Sequence, residues 1–285
     1  MSEIASLILS RGRKIFVYPI TALIAILVES RGEPPIINTV LTVGALLAAA
    51  ISVYVYNDIT DLEMDRLNPQ KKDRPLILGK VTVKEAMRLV YFSGFVGLAL
   101  SLLMGIEAFL LCIAYIALFL IYSHPRIRLK KRFLLKEITI ASGSSFSCLF
   151  GGVAVGSISA PIIFLMMFYF GYAMVGIAIE EISDVAEDEK YGCKTLAMVL
   201  SWKRMVKMFV FFLLVILVLS PLIYRQLGFN TLFPIGMVLM CGLSLYLIFP
   251  YLNRYEENKR IMLSLYIPWI MTGISVLLGS LTIPF

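Results

Sequence analysis

Asn57-Asp58-Ile59-Thr60-Asp61-Leu62-Glu63-Met64-Asp65-Arg66 closes the second long apolar stretch of the chain, and a matching run closes the sixth. That second run reads Glu180-Glu181-Ile182-Ser183-Asp184-Val185-Ala186-Glu187-Asp188-Glu189. In register, Asp58 matches Glu181, Ile59 matches Ile182, Thr60 matches Ser183, Asp61 matches Asp184 and Asp65 matches Asp188. Asn57, Asp61 and Asp65 stand at i, i+4 and i+8, so on a helix their oxygens line one face, and Glu180, Asp184 and Asp188 repeat that spacing. Carboxylates crowded on one face repel unless a cation joins them. Hard oxygen donors select Mg²⁺, which completes its shell with water and substrate phosphate. A solvated acidic helix end is the plainer reading of either run alone. Two matched copies at equivalent places outweigh it, because acidic groups beside lipid are costly and mark function.

The surroundings of the two runs decide the class. Of the 285 residues, 59% are hydrophobic and 16% charged, against roughly 45–50% and 25% in soluble domains, and the mean hydropathy is +0.87. This is the composition of an all-α polytopic membrane protein. Stretches long enough to span a bilayer, about 20 mostly apolar residues, are read at 15–28, 36–56, 89–106, 108–123, 138–157, 160–179, 205–224, 229–252 and 261–281. These make nine spans. The first is short, with Arg13 and Lys14 able to snorkel to the interface. A tight turn at Ile106-Glu107 separates the third span from the fourth.

The net charge of +7 is spread through loops and points to no nucleic acid. With the N-terminus cytoplasmic, 24 of the 26 lysines and arginines fall inside, and Arg31 and Arg225 outside. Both acidic runs then face the cytoplasm and the C-terminus lies outside. The chain reads as one domain built from pseudo-repeated four-helix units, about 14–136 and 137–252, with a ninth helix at about 261–281. A pseudo-two-fold axis along the membrane normal would bring the two runs together over a central cavity.

Basic residues follow the acidic runs. Arg74 precedes Pro75 in the loop tied to the first run, and a planar guanidinium suits a diphosphate. Lys72, Lys130 and Lys194 are further anion-binding candidates, while the other loop cations read as topology signals. Tyr54, Tyr56 and Tyr122 lie nearest the expected site, where aromatic faces can stabilise a passing cation. His124 reads as a turn residue. Gly151-Gly152 reads as a close-packing or bend position. Cys112, Cys148 and Cys241 lie in apolar stretches and read as small buried hydrophobes; with Cys193 they form no metal-binding or redox pattern. No cleavable signal peptide is expected, and no obligate protein partner.

Asn57-Asp58-x-x-Asp61-x-x-x-Asp65 with Asn68, Lys72 and Arg74-Pro75-Leu76 resembles the first signature of the UbiA superfamily of intramembrane prenyltransferases. Asp184-x-x-x-Asp188 with Gly192-x-x-Thr195-Leu196 is similar to the second, and Tyr122-Ser123 followed by Leu129-Lys130 to the loop after the fourth helix. The resemblance implies nine helices, a cavity open laterally to lipid, and Mg²⁺-dependent transfer of an isoprenoid from an allylic diphosphate, such as geranylgeranyl diphosphate, to a lipophilic or aromatic acceptor. It implies that Asn57, Asp61, Asp65, Asp184 and Asp188 hold the Mg²⁺–diphosphate and that Arg74 and Lys130 contact the diphosphate. Asp58, Asp61 and Asp184 are the expected catalytic carboxylates, and Tyr122, Lys72 and Lys194 complete the expected substrate contacts. The chain departs from the family pattern at Glu181, at Glu187 and in its first helix, where Arg11-Gly12-Arg13-Lys14 stands in place of Arg-Pro-x-Asn. Two other readings of the acidic residues are a CDP-alcohol phosphotransferase and a cation-coupled transporter. The glycine- and arginine-containing signature of the former is missing, and the helix-end placement of the charges disfavours the latter.

Overall fold

A computed structural model describes residues 3–12, 14–68, 71–185, 189, 192, 194–253 and 259–281; for Ser183, Asp184, Lys259 and Arg260 it describes the backbone alone. Among the described residues every regular element is helical. They are α1 (Glu3–Leu9), α2 (Lys14–Glu29), α3 (Ile36–Asp65), α4 (Val83–Met104), α5 (Ile106–Ser123), α6 (Leu135–Val155), α7 (Ala160–Glu180), α8 (Leu196–Val199), α9 (Trp202–Ile223), α10 (Leu232–Ile248) and α11 (Lys259–Ser280). Single 3₁₀ turns occupy Leu129–Lys131, Glu181–Asp184 and Phe249–Tyr251.

Eight of these helical stretches are long and apolar enough to cross a membrane, so the chain is a multi-pass membrane protein. The expected ninth span falls short of that standard. Helix α2 has 16 residues, about 24 Å at 1.5 Å per residue against a hydrocarbon core of about 30 Å. It nonetheless lies inside the bundle, packed on α3, α6, α7 and α11. The close approach of α2 to α6 needs glycine. A Cβ on Gly143 would strike the Tyr18 ring, and one on Gly151 would strike Ala25 and the backbone of α2.

The α4–α5 turn falls one residue earlier than the sequence suggests. Gly105 adopts φ 127° there, a conformation open to glycine and strained for other residues, so Ile106 and Glu107 begin α5. Helix α4 starts with a capping box, in which Thr82 and Glu85 satisfy each other's backbone N–H groups.

The core falls into an α2–α3–α5–α6 cluster around Tyr18, Tyr115 and Phe119 and a larger one among α6, α7, α9, α10 and α11. Helix α1 and the segment after α3 form a small third cluster through Leu7, Leu76 and Val81. That cluster covers the end of α3 that carries the first acidic run.

Candidate active site

The first acidic run is entirely helical. Helix α3 continues for 30 residues to Asp65, so Asn57, Asp61 and Asp65 share a face. Asn57 donates to Asp61 Oδ2 at 3.1 Å and to Ser123 Oγ at the end of α5 at 3.0 Å. The carboxylates of α3 each turn to cations. Asp58, buried, takes a forked contact from Arg11 and a 2.9 Å bond from Arg74. Arg74 bridges onward to Asp65 at 2.6 Å, where Lys71 joins at 2.8 Å. Asp61 meets Lys130 at 2.5 Å and Arg128 at 3.3 Å. Among the described residues no three acidic side chains converge on one point.

Each cation is delivered by local structure. Arg74 sits in the run of turns after α3, where its N–H bonds the Lys71 carbonyl and its carbonyl accepts from Ile77 and Leu78. Arg128 has φ 48°, a left-handed conformation that reverses the chain after α5. The reversal presents Lys130 on the following 3₁₀ turn to Asp61. Arg11 reaches in from the segment between α1 and α2, over the Tyr54 ring at 5.6 Å and onto Asn57 Oδ1 at 2.9 Å. Burial works against the Arg11 charge, but Asp58 outweighs it and holds the guanidinium pKa above its usual value. Burial also pulls the Lys130 ammonium below the usual lysine range, and Asp61 only partly restores it.

The second run departs from the helical spacing expected of it. Helix α7 ends at Glu180 and the backbone tightens into a 3₁₀ turn over Glu181–Asp184. With three residues per turn, positions three apart eclipse and positions four apart do not. The backbone spacing that aligns Asn57 with Asp61 on α3 is therefore not continued past Glu180. Glu181 Oε1 accepts from Lys136 at 2.9 Å. The side chain of Asp184 and the whole of Asp188 lie outside the described residues, so the metal ligands expected there are not placed.

The remaining sequence candidates fall into two groups. Tyr122 is half-buried at the end of α5 against Phe119, one residue before Ser123, which accepts from Asn57. Lys72 and the Lys194 side chain are exposed; the neighbour of Lys72, Lys71, makes the contact to Asp65. Lys194 is tied to the site through its backbone, whose N–H bonds the Lys131 carbonyl at 3.1 Å. His124 caps α5, with its carbonyl accepting from Ile127 and Arg128 and its Nδ1 from the Arg126 N–H. Arg11, Lys71, Arg128 and Ser123 were not among the expected ligand-binding residues. Lys71 and Arg128 are signalled in sequence by closeness to the acidic run and to the Leu129-Lys130 pair, and Ser123 by the Tyr122-Ser123 pair, whereas Arg11 lies 46 residues before Asn57 and carries no such signal.

The model of the UbiA prenyltransferase family matches residues 18–270. The chain is 32% identical over 249 residues to the digeranylgeranylglyceryl phosphate synthase of Sulfolobus acidocaldarius, 87% of each protein. It is 28% identical over 251 residues to that of Sulfurisphaera tokodaii, again 87% of each. Among solved structures, a digeranylgeranylglyceryl phosphate synthase in membranes aligns with a TM-score of 0.78 at 24% identity, over 98% of this chain and 99% of that one. A UbiA homolog from Archaeoglobus fulgidus bound to GPP and Mg²⁺ aligns with a TM-score of 0.75 at 16% identity, over 98% of both. At these identities the structural likeness speaks for the fold.

Proposed function

Because the chain belongs to the UbiA prenyltransferase family, we propose that it moves a geranylgeranyl chain from its diphosphate to geranylgeranylglyceryl phosphate, with Mg²⁺-dependent loss of diphosphate. The observation that carries this reading is the charge balance at the end of α3. Five basic side chains, Arg11, Lys71, Arg74, Arg128 and Lys130, surround Asp58, Asp61 and Asp65. Such a surplus suits two anionic substrates held side by side, a diphosphate and a phosphate-bearing acceptor. The curated names of the archaeal relatives support the same acceptor.

The residues present suit Mg²⁺. The donors of α3 are hard oxygens, the amide oxygen of Asn57 and the carboxylates of Asp61 and Asp65, and all three already accept from cationic side chains. Asp184 and Asp188 are the proposed ligands from the second run. Bound Mg²⁺ would supply neutralising charge for the departing diphosphate. Arg74 and Lys130 hold phosphate oxygens, and Asp58 keeps Arg11 and Arg74 aimed at them. As the allylic C–O bond breaks, its electron pair leaves with the diphosphate. The acceptor hydroxyl oxygen attacks the same carbon to form the ether, and its proton passes to a motif carboxylate. The apolar bundle keeps water from the carbon while it carries positive charge, and Tyr54 and Tyr122 present aromatic faces to it. The cation-rich end of the bundle faces the cytoplasm under this reading, by the positive-inside rule.

The test offers radiolabelled geranylgeranyl diphosphate to the protein in micelles with geranylgeranylglyceryl phosphate, a naphthoquinone precursor, a hydroxybenzoate and a haem or chlorophyll ring as separate acceptors. Label is expected in the glyceryl phosphate product alone. Label in an aromatic acceptor instead would overturn the acceptor assignment.

A further inference from the structure

The two acidic runs lie on different helices, and one segment touches both. Between α5 and α6, Lys130 grips Asp61 of the first run at 2.5 Å. This segment and the first turn of α6 then make three contacts with the chain at and after the end of α7. The Lys131 carbonyl accepts from the Lys194 N–H at 3.1 Å. Lys136 pairs with Glu181 at 2.9 Å, and Glu137 Oε1 accepts the Leu196 N–H at 2.7 Å.

Glu137 differs from the carboxylates of α3. It is fully buried, and the hydrogen bond described for it comes from a backbone amide rather than a cation. Among the described residues its Oε2 is buried without a hydrogen-bond partner, as is the neighbouring Thr195 Oγ1. Burying a carboxyl group with one oxygen unpaired is costly, and the single bond to the Leu196 N–H is held against that cost. The bond pins the first residue of α8 to the first turn of α6, next to the segment that holds Asp61.

We propose that Glu137 is a positioning residue. Its bond to Leu196 fixes the chain after the second acidic run against α6, in register with Asp61 and Lys130, and the diphosphate site is complete only when this bond is made. The inference rests on the prenyl-transfer reading. What the role needs is an acceptor oxygen. Glu137→Gln keeps one, whereas Glu137→Leu fills the space and removes it. Leu196→Pro removes the same bond from the donor side, at a first helical position where proline is accepted.

The three variants and the wild type are compared in micelles by thermal unfolding, by amide exchange of the peptide containing Leu196, and by equilibrium binding of geranylgeranyl thiodiphosphate with Mg²⁺. The expected result is Glu137→Gln within about threefold of wild type in binding. Glu137→Leu should be folded, unprotected at Leu196, and weaker in binding by about tenfold or more, the factor that corresponds to roughly 1.4 kcal/mol. Leu196→Pro should match it in binding. The proposal is overturned if Glu137→Leu or Leu196→Pro binds as wild type does. It is equally overturned if Glu137→Gln loses binding while Leu196 stays protected, because the role would then be one of charge. Failure of the wild type to bind the analogue would instead bring down the prenyl-transfer reading on which the proposal stands.

Discussion

Arg74 is the residue on which the first half of the site turns, because it bridges two carboxylates, Asp58 and Asp65. Arg74→Ala should lower kcat/KM for the diphosphate substrate by about 100-fold or more, in the range for losing a charge clamp, and Lys72→Ala by less than about fivefold. Steady-state kinetics on the two variants checks the contrast. Asp58 sits between two mostly buried guanidiniums, so Asp58→Ala leaves like charges unpaired and should destabilise the protein by about 3 kcal/mol. Thermal unfolding in detergent, with Asp58→Asn alongside, measures it. Asp58, Asp61 and Asp65 were legible in the sequence because helical spacing alone puts polar groups on one face. The choice between Lys71 and Lys72 was not, since it depends on the path of the turn after α3. Arg11 was hidden for a similar reason. It comes from outside the acidic runs, and only the packing of Leu7 and the α1 segment brings it over Tyr54.

At the scale of elements, α3 was readable to its end because the i, i+4, i+8 spacing of Asn57, Asp61 and Asp65 continues the helix of the apolar span before it. The second run looked equivalent in sequence but leaves the α-helix at Glu181. Spacing cannot show a change from 3.6 to 3.0 residues per turn, because both settings keep the same residues in the same order. Gly105 likewise drew the α4–α5 turn to itself by its conformational freedom, against a reading based on where polarity first appears. Helix α2 approaches α6 closely at two glycines, Gly143 and Gly151. Gly143→Leu should force Tyr18 and α2 outward and destabilise by about 1–3 kcal/mol, measurable as a lower unfolding midpoint with lower turnover. Gly242, with nothing near its Cβ position, should accept alanine without a comparable loss.

For the whole molecule, the lysine and arginine asymmetry predicts an orientation, and the paired four-helix repeat is a proposal from the match between the two acidic runs, the first of which ends α3 at the cation-rich face. The described contacts put the ends of α3, α5 and α7 and the starts of α6 and α9 at that face. The opposite face holds Glu29 against Ser157 and Ser159. With Cys193→Ser as background, Glu33→Cys should react with a membrane-impermeant maleimide from outside intact cells, and Leu67→Cys only after lysis. The reverse pattern would invert the topology. The most direct test of the account as a whole is diphosphate release from geranylgeranyl diphosphate in the presence of geranylgeranylglyceryl phosphate, comparing the wild type with folded Asp61→Asn, with and without Mg²⁺. The account predicts release matched by ether product in the wild type with Mg²⁺, and background release in the other three samples. Wild-type turnover in Asp61→Asn, or turnover untouched by removing Mg²⁺, would contradict it.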